Sequence, residues 1–314
     1  MRGEPRPRLH RAGRRIYRSV FRIGWPRTRQ QRLAAMLSSL VLHVHPTRVR
    51  VHALKFQSTL GLGLVSFYLF LILTATGIML MFHYVPSTAL GPDGLPDAYS
   101  RMLNLRSNVF WGGFVRNMHR WAAHGMVAFV ALHMLRVYLA GAHRGGREFN
   151  WVIGCILGLL TVFLSYTGYL LPWDQLAFWG VKVGTEIAKI APGGAIIRGI
   201  LLGDTDVGGE ALIRFYLLHV MILPLLLVIL LAVHFWRIRK DGGLTRPADA
   251  DERIGPPPAD TYPVFTEAPA RTYHLAAIVR GRTEAVGRGP ENTGPSMPHL
   301  FYAELGVLMV TVFV

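Results

Sequence analysis

The stretch NMHRWAAHGMVAFVALHMLRVY, residues 117–138, decides how this chain is read. Most of it is apolar enough for a membrane-crossing helix, yet it carries His119, His124 and His133. Ionisable side chains inside a bilayer are costly and usually mark function. His119 and His133 are fourteen residues apart. On a helix, fourteen steps return to within about 40° of the starting direction and climb about 21 Å. Both imidazoles therefore share a face, one near each membrane surface. His124 sits roughly 140° around the helix from His119. It reads as structural, as do His83 and His143.

Residues 212–236, LIRFYLLHVMILPLLLVILLAVHFW, repeat the device. His219 and His234 are fifteen apart, which gives about 22 Å of rise and about 60° of offset. A single histidine in a membrane helix is commonly just hydrogen-bonded to a neighbour. Two matched pairs are harder to explain that way.

Composition places these stretches in a membrane protein. The chain has 314 residues, of which 51% are hydrophobic and only 17% charged, where a soluble domain carries about 25% charge. Apolar stretches at 58–84, 117–140, 150–171 and 212–236 each reach the roughly 20 residues that cross a bilayer as a helix. A fifth begins in PHLFYAELGVLMVTVFV and runs to the last residue, which predicts a chain that continues beyond Val314.

The net charge of +16 is explained by topology. Lys and Arg number 14 in residues 1–55 and 9 from Arg237 onward, but 3 in 85–116 and 3 in 172–211. With the N-terminus inside and four alternating spans, the basic arm, the 141–149 loop and the segment after 237 all fall on the cytoplasmic side. The base-poor loops fall outside, as the positive-inside rule expects. Attraction to anionic lipid accounts for the excess, and no nucleic-acid reader motif accompanies it. The arginine-rich start, without an early apolar core, is not a cleavable signal peptide.

The expected organisation is a basic arm at 1–55, with an interfacial helix around QQRLAAMLSSLVL, and a four-helix domain at 56–240. A Pro/Gly-rich linker follows at 241–299, and 300–314 begins a further span. The outer loop from 172 to 210 carries two amphipathic stretches, at 175–190 and 194–202, interrupted by APGG.

Alternating spans make the second and fourth parallel. His119 then faces His219 at the outer level, and His133 faces His234 at the inner level. Facing imidazoles at two depths suit two stacked b-type haems held without a covalent link. The one cysteine, Cys155, excludes an intrachain disulfide, a Cys-only iron–sulfur cluster and a C-x-x-C-H haem attachment. Gly63 and Gly77 in the first span, like Gly154 and Gly168 in the third, are fourteen apart. They place a missing side chain at both levels, where a flat macrocycle could approach the backbone, although small residues are also common in ordinary membrane helix packing. Arg116 and Arg136 bracket the histidines of the second span and could pair with haem propionates. Arg120 and Arg214 are alternatives that also read as interfacial anchors.

These residues resemble the N-terminal half of cytochrome b, the membrane core of quinol–cytochrome c oxidoreductases. The likeness covers about residues 55–240. It rests on ATG at 75–77, HRW with its His spacing, TGYLLPWDQLAFWGVKV at 167–183, and RFYLLH before LPLL. The fifteen-residue spacing and PWDQ are closer to the short cytochrome b6 type. The resemblance implies that Arg116 and Arg136 bind propionates and that the four glycines line the haems. It also implies that Trp179 and Gly180 lie at the outer quinol pocket. Implied partners are a Rieske iron–sulfur protein, a c-type cytochrome, quinol and the C-terminal half of cytochrome b, within a complex that is itself a homodimer in a bacterial cytoplasmic membrane. Quinol oxidised outside would send one electron to the Rieske protein and the other inward through the haems, building a proton gradient.

Two departures matter. Gly61 stands where the b6 type carries the cysteine for a covalent c-type haem, so none is expected. The Pro-Glu-Trp-Tyr motif of the C-terminal half is also missing from the sequence. Other readings are a quinone-linked haem anchor of another dehydrogenase, and a haem-free scaffold or transporter whose histidines relay protons.

Overall fold

A computed structural model of the chain describes residues 48–50, 56–144, 147–241, 244–245, 293–295 and 299–313. The expected interfacial helix in the arm, and nearly all of the linker, lie outside the described residues. After a single helical turn at Phe56–Thr59, the longer helices in chain order are α1 (Leu62–Met81), α2 (Asp97–Ser107), α3 (Gly112–Leu139), α4 (Glu148–Leu170), α5 (Gln175–Ala188) and α6 (Gly194–Leu202). Then follow α7 (Gly209–Leu217), a π-helical turn at Leu218–Ile222, α8 (Leu223–Asp241) and α9 (His299–Phe313).

Among the described residues, α1, α3, α4 and the continuous span Gly209–Arg239 are long and apolar enough to cross a membrane. They correspond to the four apolar stretches of the sequence, and their outward faces carry exposed leucine, isoleucine, valine and phenylalanine. In lipid a helix satisfies its backbone internally, so such faces need no polar cover. The protein is an all-helical, multi-pass membrane protein. The described strands are a single short pairing, Arg48–Arg50 antiparallel to Thr293–Pro295, with Arg48 opposite Pro295.

The bundle is a compact unit built from Gly61–Tyr138, Trp151–His234 and Val307–Val314. Its interior has two layers. Val65, Leu69, Phe70, Ala122, Met126, Leu160 and Leu227 form a buried cluster contributed by all four spans. Every one lies, in its own span, between the two positions fourteen or fifteen residues apart that carry histidine or glycine. A second cluster closes one end, joining Tyr84, Ala98, Leu170, Trp173, Val181, Leu202, Leu212 and Phe215. It is assembled from the ends of the spans and from α2, α5 and α6, the last two being the surface helices anticipated by the amphipathic stretches. Asp174 starts α5 by accepting from the Ala177 amide at 2.8 Å, the usual N-cap bond. Gly193 and Gly203, at φ of 74° and 71°, bracket α6 in left-handed conformations that favour glycine.

The fourth span differs from a plain helix. The Leu223 amide donates to the Leu218 carbonyl, the five-residue bond of a π turn. Pro224 follows directly and has no amide hydrogen to offer. A π turn takes up one extra residue, so the fifteen residues from His219 to His234 advance as about fourteen would in an α-helix. The offset of about 60° expected from regular helix is thus reduced to about the 40° of the other pair.

Candidate functional site

The spans bring the four histidines together in two pairs. The rings of His119 and His219 have centroids 6.3 Å apart and planes at 75°. His133 and His234 lie close enough to interact electrostatically. The span pairing is therefore parallel, with His119 and His219 at one level and His133 and His234 at the other.

Each imidazole lies against one glycine of the neighbouring span. A Cβ built on Gly168 would stand 2.6 Å from Cε1 of His219, and one on Gly63 would stand 3.0 Å from Cε1 of His133. At Gly77 the distance to His119 would be 3.3 Å, and at Gly154 the distance to His234 would be 3.7 Å. The sequence argument reserved these positions for a macrocycle. The nearest side chain to each is the facing histidine ring, because a helix without a Cβ at that point lets the ring of the facing span seat on its backbone.

Two residues that spacing alone missed complete the level of His119 and His219. The Thr76 hydroxyl is 2.9 Å from Nδ1 of His119, and that of Thr167 is 3.1 Å from Nδ1 of His219. Each hydroxyl donates its single hydrogen to the carbonyl four residues back, Ile72 at 2.6 Å and Phe163 at 2.9 Å. It then has only lone pairs left for the ring. The carbonyls of Leu73 and Leu164, which can only accept, also face these two rings. Nδ1 therefore carries the hydrogen, and Nε2 presents its lone pair. The available signal was the Thr-Gly dipeptide, which occurs at the same level in both glycine-bearing spans.

The arginines divide. Arg214 has its Nη1 buried without a hydrogen-bond partner, while its Nη2 is 3.7 Å from a Glu210 oxygen. Its guanidinium rests on Gly203. Arg120 is exposed, with its guanidinium 5.6 Å from the Trp121 ring centroid, as an interfacial anchor would be. Arg116 is partly buried among the charges of Arg120, Arg106 and Asp174. Arg136 is partly buried and acts electrostatically on His133.

The remaining sequence candidates have separate surroundings. His124 is exposed, its ring 5.5 Å from Trp121. Trp179 is exposed, with Lys182 5.2 Å from its ring centroid, and it lines an open groove with Val183, Ile187 and Ile190. Gly180 sits in a seam, its carbonyl accepting from the Tyr166 hydroxyl at 2.9 Å. Gly61 has φ of 62° just before α1. Among the described residues no three His, Cys, Asp or Glu side chains converge on a metal position.

The family described as cytochrome b (N-terminal)/b6/petB matches residues 124–285. The chain belongs to the cytochrome b/b6 family. Cytochrome b6 of Gracilaria tenuistipitata var. liui is 42% identical over 183 residues, covering 58% of this chain and 81% of that protein. A cytochrome bc complex cytochrome b subunit of Chlorobaculum thiosulfatiphilum is 38% identical over 199 residues, covering 63% of this chain and 44% of the relative. A chain from a hyperthermophilic respiratory Complex III superposes with a TM-score of 0.62 at 23% identity, covering 97% of this chain. At that identity the likeness is one of fold. The present chain spans 63% of that one, so the cytochrome b/b6 relationship extends over part of some longer relatives.

Proposed function

We propose that this chain is the di-haem cytochrome b subunit of a quinol–cytochrome c oxidoreductase, with His119 and His219 holding the outer b haem and His133 and His234 the inner one. The observation that carries the reading is the fourfold match of imidazole to glycine at two levels of one bundle. The residues fit the group. The 6.3 Å between the ring centroids of His119 and His219 leaves room for one metal ion between two imidazoles. The orphaned Nη1 of Arg214 is a donor for a propionate, as Arg116, Arg120 and Arg136 are by position.

A haem held by two of these imidazoles would supply a one-electron iron couple suited to electron transfer rather than oxygen binding. The chain's own residues do the rest. Thr76 and Thr167 hold the outer rings by Nδ1 and leave Nε2 free. The cluster of Leu69, Met126, Leu160 and Leu227 fills the apolar layer between the levels and excludes water from it. Trp179 and Gly180 belong to the outer quinol pocket, completed by the C-terminal half of cytochrome b. The partners are a Rieske protein and a c-type cytochrome in a homodimeric, proton-translocating complex. The membrane is the bacterial cytoplasmic membrane, the N-terminus is inside, and no covalent haem is attached at Gly61.

The test is the reduced-minus-oxidised absorption spectrum of the complex purified from membranes. Two b-haem components per chain are expected, and their absence would remove the reading. His133→Ala is expected to leave one haem per chain instead of two. A co-purifying Rieske protein separates this function from that of a dehydrogenase anchor.

A further inference from the structure

We propose that Thr76 and Thr167 are positioning residues that set the reduction potential of the outer level separately from the inner one. This rests on the haem reading above. Both side chains are buried, at 1% and 3% exposure, and both stand one residue before the glycine that seats the same imidazole. Each ring is thus fixed twice by a Thr-Gly pair, by contact with the glycine and by an acceptor at Nδ1. The corresponding residues before Gly63 and Gly154, at the inner level, are Leu62 and Ile153, which have no hydroxyl.

An acceptor on the outer ring nitrogen of a ligating histidine fixes its orientation and makes it a more basic ligand. A more basic ligand favours the oxidised, more positively charged metal. The two threonines therefore hold the outer component harder to reduce than the Leu73 and Leu164 carbonyls alone would. Removing partners of this kind typically costs about 10–100-fold in metal affinity or activity.

The test is a potentiometric titration of the b-haem absorbance of purified complexes carrying the full chain. The variants are Thr76→Val, Thr167→Val, Thr76→Ser and, as a control on the span itself, Thr161→Val. Thr161 is also buried and donates to the carbonyl four residues back, Leu157 at 2.9 Å. Each valine variant at 76 or 167 is expected to shift one component about tenfold towards the reduced form, about 59 mV for one electron. The other component, Thr76→Ser and Thr161→Val should titrate as wild type.

A shift in both components, no shift in either, or an equal shift in Thr161→Val would overturn the inference. A wild-type complex with two components and unmoved valine variants sinks this inference alone. A wild-type complex without b-haem bands sinks the function it rests on as well. If Thr76→Val does not assemble, Thr167→Val interrogates the same component from the opposite ligand.

Discussion

At Gly168 the gap between backbone and His219 ring is smaller than a methyl group needs, whereas at Gly154 it is an ordinary van der Waals distance. Two identical substitutions should therefore behave differently. Gly168→Ala must push the ring aside, an overpacking cost of about 1–3 kcal/mol, and should lower the recovered amount of one haem component. Gly154→Ala should keep both, as read by haem content per chain. The histidines and glycines were legible in the sequence because helical periodicity and rise fix their faces and depths. The threonines were not, because a hydroxyl in a membrane span ordinarily bonds the carbonyl one turn back. Thr76 and Thr167 do that and face an imidazole as well.

The π turn at Leu218–Ile222 gives the fourth span a testable register. Removing Met221 from it should restore a regular helix with fourteen residues between the histidines, and both haem components should survive. Removing Val228, beyond the turn, should rotate His219 and His234 about 100° out of phase and cost one component. Haem stoichiometry distinguishes the two deletions. Spacing alone read this span as regular helix; Pro224 was the one local sign that it is not.

On the surface, α5 and α6 are joined through Glu186, which bonds Lys189 at 2.6 Å and Arg198 at 3.0 Å. The Lys189 and Arg198 bonds hold its carboxyl below the usual carboxylate range. A depressed pKa adds stability above the unfolded value, and that stability fades as pH falls through the folded one. Amide protection in α6, taken relative to the intrinsic exchange rate at each pH, should therefore fall on acidification, from about pH 4 downward, and Glu186→Gln should remove that dependence. The amphipathic pattern announced both helices, but the contact that joins them depends on the turn at Gly193.

As a whole molecule, the bundle follows its spans closely. Alternation makes the histidine-bearing helices parallel, and the glycine-bearing ones run against them, so each glycine meets the right ring. The capping cluster around Phe215 and Leu202 was less visible, because it joins short helices far apart in sequence whose apolar residues look like surface. The helix α9 adds a further consequence. Val307 packs against the mid-span cluster, while residues 242–298 tether its helix to α8. A covalently joined element meets its site at a local concentration set by the chain between them, whatever the protein concentration. Cleavage of the tether would turn that first-order docking into a bimolecular one. The seating of α9 would then depend on dilution, as it does not while the chain is continuous.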